Sequence, residues 1–252
     1  LLAACLYVMS MHLLNRFTDR AAARMNDPRR MRLLERFPVV FAGTAALFAT
    51  LSLVITASFG LFPFLLMFLS LSAGIGYNLP LIPGWLVRRV RVSTIRQIPG
   101  SKNIFMALAW AMVTVLVPFL AVREAALPQG LLVFTFVFLM VLIRSLVFDQ
   151  KDLEGDRMLG KETLPLVLGP KATRSLVLLC AAALGIIAVS DLVIGWSALR
   201  GWLLLPVVAY IGFALYLHDR RFETRGVLFE LVVDGQFLLM GLLAFGIPYL
   251  PV

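Results

Sequence analysis

Three aspartates stand at the end of a long apolar run, at a spacing that suits one face of a helix. Asp149, Asp152 and Asp156 are three and four residues apart, so their directions on a helix fall within about 60° of one another. Converging carboxylates repel one another unless a cation lies between them. Mg²⁺ in proteins is typically held by one or two carboxylates together with phosphate oxygens of a substrate. The spacing predicts metal-assisted chemistry on a diphosphate, and the alternative is a solvated helix end balanced by Lys151 and Arg157.

A second polar patch lies near the start of the chain. His12, Asn15, Asp19 and Asn26 follow one another at helical offsets, so they can share one side of a helix. Asn15 and Asp19 can contribute oxygen ligands, or waters held by them, to a second cation. An ordinary polar helix end explains the same residues, and a His at such a place is more often an interface residue than a ligand.

Cations suited to a phosphate precede an apolar run that begins near Asn103. Arg96 and Lys102 can hold non-bridging phosphate oxygens and offset the charge that builds on a leaving diphosphate. The alternative for both residues is a basic loop that serves only membrane topology. Tyr77 ends the preceding apolar run, where it orients a substrate or belongs to an interfacial aromatic belt.

Two carboxylates fall inside the last apolar run. Glu230 and Asp234 are four residues apart, with Gln236 just beyond them. Ionisable groups inside a membrane helix are costly and suggest function. Here they either position an acceptor molecule or form a hydrogen bond or ion pair between helices.

The elements that must carry these residues are membrane helices. Of the 252 residues, 61% are hydrophobic and 15% charged, which is far from the composition of soluble globular proteins. We expect an all-α, polytopic bundle in one domain covering residues 1–252, with eight transmembrane helices in this sequence. Most of the runs approach the roughly 20 residues that cross a bilayer. They are 1–14, 37–56, 61–79, 104–122, 131–148, 175–190, 202–217 and 227–249.

Charge sets the expected orientation. The net charge is +9, and most of the 23 Lys and Arg residues fall in alternate connections between the apolar runs. By the positive-inside rule this side, which also bears the three aspartates, is cytoplasmic, as in a multi-pass protein of a prokaryotic inner membrane. The basic charge is then explained by topology and by contact with anionic lipids, without nucleic acid. The first run is too short to span, so we expect that the sequence lacks its true N-terminus, with either part of this helix or also a whole earlier one missing.

Two stretches resemble the UbiA superfamily of intramembrane prenyltransferases. The segment DQKDLEGDRMLGKETLPLVLG, residues 149–169, is similar to the family's second Asp-rich motif with its downstream Thr-Leu-Pro and Leu-Gly signature. The segment TIRQIPGSKN, residues 94–103, resembles the family's basic connection after a Tyr-containing helix end. The order of elements also fits, so the resemblance covers essentially the whole chain. Because members of the family have nine helices, the resemblance implies a nine-helix full-length protein of which this sequence lacks the first helix.

The first Asp-rich motif departs from the family pattern N-D-x-x-D-x-x-x-D. In register, this chain has Asn15, Arg16, Asp19 and Ala23, so two acidic positions have become Arg16 and Ala23. Losing two carboxylates should weaken one of the two Mg²⁺ sites of the family. Arg16 either contacts the diphosphate in place of a metal or disables catalysis.

The resemblance implies site residues of three kinds. The residues implied to hold Mg²⁺ are Asp149, Asp152, Asp156, Asn15 and Asp19, of which Asp149, Asp152 and Asp19 are implied to be catalytic. The residues implied to bind substrate are Asn15, Arg16, Tyr77, Arg96, Lys102, Asn103 and Arg157.

Three functions are compatible with these features. The first is a Mg²⁺-dependent prenyltransferase that moves an isoprenyl group from an isoprenyl diphosphate to an aromatic or lipid acceptor. The second is a degenerate homologue that binds a polyprenyl lipid or quinone without turnover, as a subunit of a membrane complex. The third is a transporter or channel, which the collection of polar residues at one face argues against, because transport sites lie near the bilayer midplane.

Overall fold

The computed structural model describes residues 2–18, 28–77, 94–121, 127–158, 163–195, 201–219 and 227–246. All regular structure in these residues is helical, which confirms the predicted all-α class. Single 3₁₀ turns at Ile95–Gln97 and Gly201–Leu203 accompany the longer helices. Those helices are α1 (Leu2–Thr18), α2 (Pro28–Arg36), α3 (Pro38–Ala57), α4 (Leu61–Gly76), α5 (Ser101–Ala121), α6 (Leu127–Lys151), α7 (Leu153–Met158), α8 (Leu164–Leu168), α9 (Pro170–Ile194), α10 (Leu205–Asp219) and α11 (Val227–Gly246).

Each of the eight predicted apolar runs overlaps one of the long helices. Four of them, α3, α5, α6 and α9, are long and apolar enough to cross a membrane, as judged by length and composition. Shorter apolar helices lie in α1, α4 and α10, and α11 has 20 residues. The number of eight transmembrane helices therefore stays a prediction.

Prolines and glycines determine where the helices begin and end. They explain why some helix ends differ from the ends of the predicted apolar runs. The helix α9 begins at Pro170, five residues before the predicted run, because a proline at the first helical position loses no hydrogen bond. It ends at Gly195, whose φ of 70° is the left-handed conformation that commonly stops a helix. The helix α2 was not among the predicted segments. It begins at Pro28 and buries Met31 and Leu34, one turn apart, within a highly basic stretch.

The long helices form two groups of four. In the first group, buried side chains of α1, α4 and α5 form one cluster, against which partly buried residues of α3 pack. The hydroxyl of Ser10 in α1 donates a 2.8 Å hydrogen bond to the carbonyl of Ala45 in α3. In the second group, α6, α9, α10 and α11 enclose a larger core that includes Phe136, Leu184 and Val207. Each group therefore begins with a helix, α1 or α6, in whose last turn one of the two predicted polar motifs starts, at Asn15 in α1 and at Asp149 in α6.

The two groups meet along α5 and α6. Ala107 and Ala111 of α5 pack against Val137 and Val141 of α6, and all four side chains are buried. Small side chains on one helix allow the close approach that membrane helices use in place of a hydrophobic driving force. One π-helical turn, Met112–Leu116, interrupts α5 just beyond this contact.

Candidate active site

A buried carboxylate lies where α6 ends beside the start of α5. Asp149 is only 2% exposed. Its Oδ1 accepts a hydrogen bond from Nζ of Lys102 at 3.1 Å, and its Oδ2 accepts one from Nδ2 of Asn103 at 2.9 Å. A buried charge is tolerated when it is paired and hydrogen-bonded, and here both oxygens are engaged. The sequence placed these three residues in one site, and the structure brings them together.

Asn103 is the residue that fixes the position of this carboxylate. It is 1% exposed, and the same Nδ2 also contacts Oγ of Ser145 at 3.0 Å, one turn before Asp149 on α6. Lys102 differs, because its side chain is 52% exposed and reaches the carboxylate from the surface. The site thus combines a buried neutral donor, Asn103, with an exposed cation, Lys102. Because Lys102 is exposed, it can move away from Asp149 without disturbing the packing of the core.

The start of α5 is held in place by a short relay from α4. The hydroxyl of Ser101 donates to the carbonyl of Ile95 at 2.8 Å, and the hydroxyl of Tyr77 lies 3.0 Å from Oγ of Ser101. Because the single hydroxyl proton of Ser101 is donated to the carbonyl of Ile95, Tyr77 is the donor in this second bond. Gly100 completes the turn with a φ of 77°, where a side chain would be strained.

The other two aspartates of the motif occupy different environments. Asp152 lies in the turn between α6 and α7 and is exposed, whereas Asp156 of α7 is buried. The backbone N–H of Asp156 donates to the carbonyl of Asp152 at 2.9 Å, so the helical spacing continues across the turn. Although Asp152 is exposed overall, partial loss of hydration is the main cause that raises its pKa, and the neighbouring Asp156 and Asp149 add to it. Lys151 and Lys102 act in the opposite direction.

The predicted metal ligands are not gathered into a closed shell. Within the described ranges, no three His, Cys, Asp or Glu side chains stand close enough together to hold a metal ion. The oxygen donors of Asp149 and Asp152 suit Mg²⁺ by their chemistry. The metal role of these residues and of Asp156 stays a prediction.

The remaining predicted residues are described only in part. Asn15 lies in the last turn of α1 and is exposed, and Arg157 lies exposed on α7. Asp19 and the side chains of Arg16 and Arg96 lie outside the described residues. The predictions for these three positions therefore stay as they were made from the sequence.

An ion pair between α6 and α11 was not foreseen as a unit. Arg144 binds Asp234 with two N–H groups: Nε contacts Oδ1, and Nη2 contacts Oδ2 at 3.0 Å. Of the two alternatives considered for Asp234, acceptor positioning and an interaction between helices, the structure shows an ion pair between helices. The signal in the sequence was an Arg inside one membrane helix and an Asp inside another, because such residues tend to pair with each other.

Comparison with known proteins fixes the class of the molecule. Over residues 1–228 the sequence matches the UbiA prenyltransferase family, and the chain belongs to that family. The bundle is similar to the structure of an apo UbiA homologue from Aeropyrum pernix K1, with a TM-score of 0.73 and 17% identity over 98% of this chain and 87% of that one. The bundle is also similar to the structure of a UbiA homologue from Archaeoglobus fulgidus bound to GPP and Mg²⁺. The TM-score is 0.71, with 17% identity over 98% of this chain and 87% of that one.

Two curated relatives match shorter stretches. A somaliensene A/B synthase from Streptomyces somaliensis is 37% identical over 81 residues, which is 32% of this chain and 26% of that protein. A digeranylgeranylglyceryl phosphate synthase from Methanopyrus kandleri is 35% identical over 115 residues, which is 44% of this chain and 41% of that protein. The chain matches less than half the length of either relative.

Proposed function

We propose that this protein is a Mg²⁺-dependent intramembrane prenyltransferase, which moves an isoprenyl group from an isoprenyl diphosphate to an aromatic or lipid acceptor. The observation that carries the proposal is the buried Asp149, held by Lys102 and Asn103 at the end of an apolar bundle. Family membership and the GPP and Mg²⁺ bound by the Archaeoglobus fulgidus homologue support it. The basic connections support a site on the cytoplasmic face of a prokaryotic inner membrane.

The residues that would hold Mg²⁺ are those of the two motifs. Asp149, Asp152 and Asp156 supply carboxylates from the second motif, while Asn15 and Asp19 supply the oxygens of the first. When bound, Mg²⁺ neutralises charge on the diphosphate and so favours departure of the leaving group.

Lys102 has the clearest role among the cations of this chain. It is half-exposed and binds Asp149 through its terminal ammonium group, so it can turn from that carboxylate to a phosphate oxygen. Arg96, Arg157 and Arg16 add positive charge for the diphosphate. Asn103 holds Asp149 in place throughout, because its other contact is to Ser145 on the same helix. The apolar bundle below shields the allylic cation from water.

Diphosphate release tests the proposal directly. Purified protein in nanodiscs is given Mg²⁺, geranyl diphosphate, and a pool of aromatic acids and membrane lipid extract as acceptors. We expect release that requires Mg²⁺ and an acceptor and is abolished in Asp149→Asn and Asp152→Asn. Glu154→Gln is the matched control, because it removes an exposed carboxylate from the same stretch and should retain activity. Equal rates in the Asp149→Asn and wild-type proteins would disprove the metal role.

A second candidate function is lipid binding without turnover, within a membrane complex. Arg16 and Ala23, at positions where the family has carboxylates, favour it. Absence of diphosphate release from every donor, together with retained binding of a labelled polyprenyl lipid, would select this function over the first.

A further inference from the structure

The ammonium group of Lys102 lies on one of the two oxygens with which Asp149 would bind a metal ion. Nζ of Lys102 is 3.1 Å from Oδ1 of Asp149. The second oxygen, Oδ2, accepts a hydrogen bond from Nδ2 of Asn103 at 2.9 Å. Both oxygens of the carboxylate are therefore engaged by groups of the protein, one by a cation and the other by a neutral amide.

Lys102 and a divalent cation compete for this carboxylate. Asp149 is only 2% exposed. Two like charges a few Å apart repel several times more strongly near a protein than in bulk water, and a divalent ion doubles the repulsion. A carboxylate whose charge is already balanced by Lys102 also attracts a second cation less strongly. Binding of a divalent ion to Asp149 therefore requires that the ammonium group moves away.

Of the two groups on Asp149, the lysine can move and the amide cannot. Asn103 is buried, and its Nδ2 is also 3.0 Å from Oγ of Ser145. Lys102 contacts Asp149 only with the tip of its side chain, a flexible four-carbon stem that ends in a point charge. When the ammonium group turns away, Oδ1 becomes open to a cation while Asn103 keeps the carboxylate in position.

A diphosphate has the chemistry that draws the ammonium group away. It carries more negative charge than one carboxylate, and phosphate oxygens form strong charge-assisted hydrogen bonds with Lys. It also supplies oxygen ligands for a divalent ion. Among the residues that the structure describes, no three His, Cys, Asp or Glu side chains stand close enough together to hold a metal. The chain therefore offers part of a ligand shell there, and phosphate oxygens are suited to complete it.

We propose that Lys102 excludes divalent cations from Asp149 until a diphosphate takes up its ammonium group. This rests on the proposed transferase function and adds the regulation of its metal site. The cation then binds weakly without diphosphate, and each of the two ligands raises the affinity of the other by the same factor, because such coupling is reciprocal. Lys102 thus sets the order of events at the site, with the diphosphate needed before or together with the cation.

The test measures binding of Mn²⁺ and needs no turnover. Mn²⁺ suits the same oxygen ligands as Mg²⁺, and the EPR signal of the free ion reports how much is bound. The full chain is placed in nanodiscs of zwitterionic lipid, which avoids attraction of Mn²⁺ to anionic headgroups. Titrations are made with and without inorganic pyrophosphate, and empty nanodiscs correct for Mn²⁺ that pyrophosphate binds in solution.

Lys102→Met should raise the Mn²⁺ affinity without pyrophosphate by about tenfold, which lies within the usual range for coupled sites. Pyrophosphate should raise the Mn²⁺ affinity of the wild-type protein by a factor about ten times larger than that of the variant. Lys102→Arg keeps the positive charge and should keep the weak binding of the wild-type protein. Lys171→Met removes an exposed lysine from the start of α9 and is the matched control, with an unchanged Mn²⁺ affinity.

Thermal unfolding provides a second measurement, which also shows whether Lys102→Met folds. A ligand stabilises the state that binds it, so Mn²⁺ without pyrophosphate should raise the Tm of Lys102→Met more than that of the wild-type protein. Equal Mn²⁺ affinities of these two proteins without pyrophosphate, together with equal shifts of Tm, would overturn the inference. A rise in affinity of the same size in Lys171→Met would also overturn it, because the effect would then be one of net charge.

These results separate the inference from the proposed function. If the wild-type protein releases no diphosphate from any donor but shows the expected coupling between Mn²⁺ and pyrophosphate, the transferase proposal fails and the role of Lys102 stands. If diphosphate is released but Mn²⁺ binds the wild-type protein and Lys102→Met equally well, the transferase proposal stands and the role of Lys102 is refuted.

Discussion

The contact between Asn103 and Asp149 should be measurable as a coupling free energy. Asn103→Ala removes a hydrogen bond to a buried carboxylate and a second one to Ser145. A bond to a charged group contributes about 1.5–3 kcal/mol and a neutral one about 1 kcal/mol, so we expect the free energy of unfolding to fall by about 2.5–4 kcal/mol. Lys102 remains on the other carboxylate oxygen, which keeps the loss from being larger.

A double-mutant cycle isolates this contact. The free energy of unfolding is measured by denaturant titration in mixed micelles for Asn103→Ala, Asp149→Ala, the double variant and the wild-type protein. We expect a coupling of about 1.5–3 kcal/mol between the two positions. Ser145→Ala serves as the control, since it loses only the neutral bond. A coupling below about 0.5 kcal/mol, the usual limit of additivity, would refute the reasoning that Asn103 fixes the carboxylate.

Two further predictions concern the turns that flank the site. Gly100→Ala should destabilise the fold by about 1–3 kcal/mol, seen as a lower Tm, because the residue has a φ of 77° and an added Cβ would lie 2.8 Å from Cγ of Leu164; an unchanged Tm would contradict this. Asp152→Asn should abolish transfer yet stabilise the folded protein at neutral pH. The pKa of Asp152 is raised in the folded state, so its stabilising effect is complete below the unfolded pKa and is lost as pH rises through the folded one. The free energy of unfolding, measured across that pH window, should fall for the wild-type protein relative to the variant. Parallel curves for the two proteins would show that the pKa of Asp152 is not raised.

The sequence predicts the elements of this fold better than the contacts between them. Long apolar runs report membrane helices directly, because a helix of about 20 residues must be apolar to cross a bilayer. The same signal overlooks α2, where Pro28 and the spacing of Met31 and Leu34 were the available clues. The helix ends also differ by several residues from the ends of the apolar runs, because caps and prolines, and not hydropathy, determine where a helix stops.

In the candidate site, too, the residues could be predicted from the sequence but their contacts could not. The spacing of Asp149, Asp152 and Asp156 on the chain was readable, as was a cation near Asn103. That Asp156 is buried while Asp152 is exposed depends on the turn between α6 and α7, which hydropathy does not encode. The partnership of Arg144 with Asp234 joins residues 90 positions apart, and only the packing of α6 against α11 reveals it.

The contact between the two groups of four helices determines how far apart the two polar motifs lie. One motif begins in α1 and the other in α6, and the groups meet where Ala107 and Ala111 of α5 pack against α6. A larger side chain at Ala107 would push α5 away from α6, because small side chains are what allow membrane helices to approach closely. The effect of such a change should therefore be seen at the site, as a change in the distance between the motifs.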